Sequence, residues 1–207
     1  MVKRSPKMLA LYLCIQGLPC LRSAMAGDLR IMGICGTYGL DSANGRMLEI
    51  MFEHCEELGA ECIIWDNTEL PLPLVGAEGS WDDKNVKAFQ ELATSSDAFV
   101  LSSPEYHGTM SGVMKNNLDW LYSKHTSGKP FSLMCTLGGQ ASNNTLNHMR
   151  IAARWIHGWV TPEQVAVPHI KEAFDDDGNL LDENISERVG VMAKSLVDMA
   201  EYLRSRR

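Results

Sequence analysis

The sequence predicts an α/β fold: one mostly parallel sheet of five strands with helices on both faces. Two observations carry that reading. Short apolar runs alternate with longer stretches of helical periodicity, the pattern of βαβ units. A Pro/Gly-rich stretch, Ser103 to Gly112, then separates a strand-like run at Ala98–Leu101 from a helical pattern, as a binding loop between strand and helix would.

Strands are expected at 29–35, 62–65, 98–102, 131–137 and 159–167. Helices are expected at 43–58, 83–94, 111–122, 144–155 and 185–203. In the first helix Met47, Ile50, Met51, Cys55 and Leu58 recur at helical spacing and should face the sheet, and Gly59 should stop it. Residues 70–81, rich in Pro and Gly, read as a long loop forming a rim or subunit contact. Five strands joined in this way fit the order 2-1-3-4-5, a flavodoxin-like three-layer sandwich with a five-stranded parallel sheet.

At 207 residues, 45% apolar and 22% charged, the chain suits one domain of ordinary size. A formal charge of −7 argues against nucleic acid or an anionic membrane as a partner. The six cysteines (Cys14, Cys20, Cys35, Cys55, Cys62, Cys135) form no CxxC pair and no zinc-ligand spacing, which points to buried, reduced thiols.

Residues 1–26 are read as an extension outside the domain, which would occupy 27–207. Lys3, Arg4, Lys7, the apolar run 8–13 and Ala24-Met25-Ala26 have the form of a secretion signal. Against that, Gln16, Gly17, Pro19 and Arg22 interrupt the apolar region. A start at Met25 or a tail is the preferred reading, with a cytoplasmic location; secretion or organelle targeting is the alternative. The apolar run is too short to span a bilayer.

Ligands of an open α/β sheet sit beyond the carboxyl ends of its strands, where strand order reverses. The loops after strands one, three and four can meet there. The first, Gly36-Thr37-Tyr38-Gly39-Leu40-Asp41-Ser42-Ala43-Asn44, is built of glycines, hydroxyls and an amide. Its backbone N–H groups and the helix N-terminus can hold a phosphate without Lys or Arg, or Ser42 can simply cap the helix. The second holds Pro104, Glu105, Tyr106, His107 and Gly108, whose flat side chains suit a planar ring. The third, Thr136-Leu137-Gly138-Gly139-Gln140-Ala141, has paired glycines that let backbone approach a ligand closely or merely form a turn.

The string Ser103 to Trp120 resembles the NADPH-dependent FMN reductase family, flavodoxin-like enzymes that include quinone, chromate and azo-dye reductases, and the likeness extends over residues 29–205. The resemblance implies FMN as cofactor, NADPH or alternatively NADH as hydride donor, and a small-molecule electron acceptor. By the same likeness Pro104, Glu105, Tyr106, His107 and Gly108 line the isoalloxazine, and Thr136, Gly138 and Gly139 meet its pyrimidine side. Thr37, Ser42 and Asn44, with Ala43 between them, match the phosphate motif Gly-Ser-x-Arg-x-x-Ser-x-Asn. Gly39 stands at the arginine position, which removes one charge-assisted contact, and Arg46 has the wrong spacing to replace it. Lys115, Asn116, Asp119 and Trp120 match a helix that helps form a dimer interface, so a homodimer or homotetramer is implied.

No protein side chain is expected to be catalytic, because the flavin carries the chemistry. His107 reads as a ring-packing residue rather than a general acid, and Glu105 as structural. A flavodoxin-type electron carrier and a flavin-binding sensor without activity are the alternative functions. Asp175, Asp177 and Asn179 begin like a calcium loop, but Leu180 and Ser186 occupy the positions that need Gly and Glu, so a polar turn is expected. Trp155, His157 and Trp159 are expected to pack in the core.

Overall fold

The computed structural model describes residues 29–206, so the expectations for residues 1–26 and for Cys14 and Cys20 lie outside the described residues. The elements run β1 (Arg30–Cys35), α1 (Ala43–Glu57), β2 (Glu61–Trp65), α2 (Lys84–Ser95), β3 (Ala98–Tyr106), β4 (Thr109–Met110), α3 (Gly112–Asp119), α4 (Ser123–Thr126), β5 (Pro130–Thr136), α5 (Asn144–Trp155), β6 (Trp159–Val167) and α6 (Glu183–Arg204). Short 3-10 turns occupy Ser80–Asp82 and Ile170–Glu172.

The five parallel strands lie in the order β2-β1-β3-β5-β6, which is the expected order once the two-residue β4 is set aside. Side-chain alternation along each strand sends residues to opposite faces. Met32, Ile34, Phe99, Leu101, Phe131 and Leu133 pack with Phe89 of α2, Met114 of α3 and Met149 of α5. On the other face Ile31, Val100, Met134 and Val165 meet Met47 and Met51 of α1 and Met192 and Leu196 of α6. The helices therefore form two layers around the sheet, and their ends follow from local chemistry. Ser42, Asp83, Ser111 and Asp182 cap α1, α2, α3 and α6 by accepting first-turn N–H groups. Gly59, at φ 91°, ends α1 as expected.

Four expectations need correction. First, Ser103–Tyr106 is strand rather than loop. Ser103 and Pro104 still pair with Cys135 and Thr136, after which Glu105 and Tyr106 pair antiparallel with Met110 and Thr109. The turn between them is His107-Gly108 with φ 52° and 78°, a two-residue hairpin in which both central residues are left-handed. Second, the helix expected at 111–122 ends at Asp119, and the chain restarts as α4. Trp120 is fully buried, Gln90 Nε2 donates to its carbonyl at 2.8 Å, and His125 Nδ1 accepts the Tyr122 N–H at 3.0 Å. Third, Trp155, His157 and Trp159 are exposed, the two tryptophans by 75% and 56%, because α5 turns Leu146, Met149 and Ala153 inward and β6 is an edge strand. Fourth, Leu58 of the first helical pattern is exposed, lying one residue beyond the end of α1.

The loop at 70–81 is anchored from within. Leu70 and Leu72 are buried, Asn116 Nδ2 and Trp120 Nε1 donate to the Pro73 carbonyl at 3.0 and 2.9 Å, and Trp81 meets Trp120 edge to face at 5.2 Å. Asn116 and Trp120 thus support this loop, while Lys115 and Asp119 form an exposed ion pair at 2.7 Å. Cys35, Cys55, Cys62 and Cys135 are all buried. Asp175 makes the expected polar turn, its carboxylate accepting from Asp177 N, Asn179 N and Asn179 Nδ2.

Candidate functional site

β1 pairs with β2 on one side and β3 on the other, so the sheet order reverses beside β1. The loops leaving β1, β3 and β5 converge there, and they are bonded to one another. Gly36 N donates to Ser102 O at 2.7 Å as the first loop crosses the end of β3. A β-carbon at Gly36 would lie 2.8 Å from Ser103 Cα, so only glycine permits this crossing. Ser111, the cap of α3, donates from Oγ to the Gly36 carbonyl at 2.5 Å and from its backbone N–H to Ser103 Oγ at 3.1 Å.

Within the first loop the hydroxyls form a chain. Gly45 N donates to Ser42 Oγ at 3.2 Å, Ser42 Oγ and Thr37 Oγ1 are 2.6 Å apart, and Thr37 Oγ1 donates to Gly39 O at 3.1 Å. With Thr37's proton directed to Gly39, Ser42 is the donor to Thr37. Ser42 is therefore the helix cap, and both hydroxyls shape the loop. Toward an anion the loop can offer first-turn N–H groups such as those of Ala43 and Asn44, which have no carbonyl partner within the helix. Gly45 is equally constrained, since a β-carbon there would strike the Leu40 carbonyl. Cys35, at the loop's floor, keeps its proton: burial raises its pKa, and the opposing hydrogen bond to Thr37 at 3.0 Å does not reverse the shift.

Asn44 is buried, and its side chain ties the other loops to the first. Its Nδ2 donates to Thr136 Oγ1 at 3.0 Å, and its Oδ1 accepts from Ser102 Oγ at 3.1 Å. Of the residues matched to the phosphate motif, Asn44 thus spans the carboxyl ends of β3 and β5 with its amide. Thr136 is committed to the same bond.

At the hairpin, Tyr106 and His107 are exposed. Glu105 Oε2 accepts the Thr145 N–H at the start of α5 at 3.2 Å, and Thr109 Oγ1 meets His148 Nδ1 at 2.7 Å. These bonds join the second loop to the helix that follows the third. Glu105 also bears on Cys135, whose pKa is pushed up to about 12 by burial and then by the Glu105 charge. In the third loop Gly138 and Gly139 face open space. That loop is held from behind by His169 N on Gly139 O at 2.9 Å and Ile170 N on Leu137 O at 3.0 Å.

Sequence reasoning missed Gly45, Ser102, Ser111, Thr145, His148 and His169. Gly45 carried a local signal, a glycine in the first turn of a helix, where it weakens helix formation, and Ser111 another, a serine at a helix start. The others act through partners distant in sequence.

The arrangement fits a flavin mononucleotide: a backbone-lined anion cradle, a flat aromatic hairpin and an open diglycine loop lie on one sheet edge. Among the described residues no group of His, Cys, Asp and Glu is placed to hold a metal ion, and no helix is long and apolar enough to cross a membrane.

Residues 29–172 match the family model described as NADPH-dependent FMN reductase. The NADPH-dependent FMN reductase ArsH of Acidithiobacillus ferrooxidans is 35% identical over 178 residues, covering 82% of this chain and 73% of that protein. The FMN-dependent NADPH-azoreductase of Staphylococcus aureus is 32% identical over 151 residues, covering 70% of this chain and 80% of that protein. Among solved structures FerB, a flavoenzyme NAD(P)H:(acceptor) oxidoreductase from Paracoccus denitrificans, superposes with a TM-score of 0.68 at 22% identity over 84% of this chain and 98% of that one, a likeness of fold. The chain belongs to the NADPH-dependent FMN reductase family, and its reaction is an FMN-dependent oxidoreduction that draws on a reduced nicotinamide.

Proposed function

We propose that FMN lies along the carboxyl edge of β1, β3 and β5, and that the enzyme passes reducing equivalents from NADPH to a quinone, free flavin, azo compound or oxidised metal ion. The observation that carries this reading is the bonding of the three edge loops into one frame through Asn44 and Ser111. Bound flavin would supply the redox chemistry between the reduced nicotinamide and the acceptor. The azoreductase relative supports azo compounds among the acceptors.

Ala43 and Asn44 present backbone N–H groups to the phosphate, while Thr37 and Ser42 hold the loop open for it. Pro104, Glu105, Tyr106, His107 and Gly108 form the wall against the ring, with Tyr106 and His107 as its flat exposed surface. Thr136 anchors the third loop through Asn44, and Gly138 and Gly139 leave room for the ring's polar edge. The protein's contribution is position: rigid loops hold one ring face against the wall and leave the other to donor and acceptor in turn.

Residues 27–207 form the FMN-binding unit in this reading, residues 1–26 lie outside it, and the enzyme works in the cytoplasm. It is a homodimer or homotetramer, with α3 and the 70–81 rim beside the subunit contact. Leu74 and Trp81, 71% and 59% exposed, support that placement.

The test is reconstitution of the purified protein with FMN, then steady-state NADPH and NADH oxidation across a panel of acceptors. Turnover with at least one acceptor is expected. A protein that cannot be reconstituted, or that takes up FMN and consumes no nicotinamide with any acceptor, would overturn the reading. Sedimentation tests the oligomer, and the intact mass of the native protein tests the fate of residues 1–26.

A further inference from the structure

The phosphate end of this site has no cation on its loop. Between Gly36 and Gly45 the only charged side chain is Asp41. It is exposed, and its carboxylate lies against the loop: a β-carbon at Gly39 would strike Asp41 Oδ1. The nearest cation along the chain, Arg46, is engaged elsewhere. Its Nε donates to Gly178 O at 2.6 Å, and its guanidinium pairs with Glu49 at 3.1 Å and Glu53 at 3.5 Å. The two loop hydroxyls are occupied in the chain from Gly45 N to Gly39 O. From this loop a phosphate would meet backbone N–H groups and the helix end, which attract it, and one carboxylate, which repels it.

We propose that Asp41 is a specificity-determining residue of the flavin site: its carboxylate offsets the attraction of the helix end for phosphate, so that the site takes FMN and riboflavin with similar affinity and exchanges its flavin. This rests on the flavin reading given above. Riboflavin shares the ring and ribityl chain of FMN and lacks the phosphate, so it senses every part of the site except the one Asp41 acts on. A loop built this way discriminates flavins by the ring wall, and a dissociable flavin serves as substrate as well as cofactor.

The experiment is titration of flavin-free protein with FMN and with riboflavin, followed by flavin fluorescence, for the native chain, Asp41→Asn and Asp41→Glu. The native protein is expected to prefer FMN over riboflavin by no more than about tenfold. Asp41→Asn should tighten FMN by about threefold to tenfold at low salt, the range expected for one exposed charge near a phosphate, and leave riboflavin unchanged. Asp41→Glu, which keeps the charge, should resemble the native chain. The gain in Asp41→Asn should shrink at high salt, where exposed charges are screened. An Asp41→Asn protein that binds FMN no tighter than the native chain would overturn the inference and leave the flavin reading standing, as would a native preference for FMN above about 100-fold, some 2.7 kcal/mol. A native protein that binds neither flavin would overturn both.

Discussion

Asn44 Nδ2 donates to Thr136 Oγ1 at 3.0 Å, joining the first turn of α1 to the end of β5 across 92 residues of sequence. The Asn44 carbonyl oxygen is taken by Ser102 at the same time. Because all three side chains are buried, Asn44→Ala would leave two buried hydroxyls without this partner. The expected loss is about 2–4 kcal/mol of stability. Thermal unfolding should register it as a fall of about 2–4 °C in Tm for each kcal/mol in a domain of this size. An unchanged Tm would show that the bond contributes nothing net.

Gly45→Ala sets two effects against each other. Alanine favours an exposed helix interior over glycine by about 1 kcal/mol. Here its methyl group would strike the Leu40 carbonyl, a backbone atom that moves only if the whole loop moves. Overpacking of this kind costs about 1–3 kcal/mol and should outweigh the helix gain. The variant is expected to be less stable than the native chain and to bind FMN about tenfold more weakly, the equivalent of about 1.4 kcal/mol. A variant more stable than native in chemical denaturation would contradict the placement of Leu40.

Glu105 couples the hairpin to α5 by accepting the Thr145 N–H. Glu105→Gln retains an acceptor oxygen and should be mild. Glu105→Ala leaves an N-terminal donor of α5 without its acceptor and removes a favourable charge from the helix N-terminus, at about 1 kcal/mol. Amide hydrogen exchange resolved at Thr145 should accelerate in the alanine variant and stay near native in the glutamine variant. Equal acceleration in both would show that charge, rather than the hydrogen bond, secures the contact.

His125 supplies a pH dependence. Burial, followed by the Lys124 and Lys129 charges, lowers its pKa from 6.5 to about 4, and its Nδ1 accepts the Tyr122 N–H, which a protonated ring could not do. Between these two values the unfolded chain binds the proton and the folded chain does not, so stability rises with pH. This contribution is complete above pH 6.5 and is lost as pH falls toward 4. His125→Asn, whose side-chain oxygen can accept the same N–H, should flatten denaturation midpoints across that interval. An unchanged slope would place the acid sensitivity in other groups.

Much of the architecture was legible because its signals are local. Hydrophobic period separated strands from helices, and Ser42 and Gly59 mark helix ends through their own local chemistry. The hairpin at His107-Gly108 was hidden because it lacks the Asn-Gly or Asp-Gly pair that marks such a turn and because Pro104 reads as a strand breaker, so the residues before it read as loop. The exposure of Trp155 and Trp159 was hidden for another reason. Aromatic residues ending a helix and opening a strand look like core until the neighbouring layers are known, and α5 fills its inward face with other side chains.

The sequence by itself determined the five parallel strands and the main helices, their order in the sheet, and hence that the segments near 37–44, 104–108 and 138–141 share one edge. Period, caps and chain connectivity act within a few residues or follow topological rules, and so can be read in one dimension. Only the tertiary structure decided what the side chains at that edge do. Asn44 bonds residues 58 and 92 positions away, Ser111 reaches back 75 residues to Gly36, and Arg46, just past the first loop, turns to a carbonyl 132 residues on. Each of these outcomes depends on which distant polar group lies within about 3 Å once the layers have packed, and local sequence does not encode that distance.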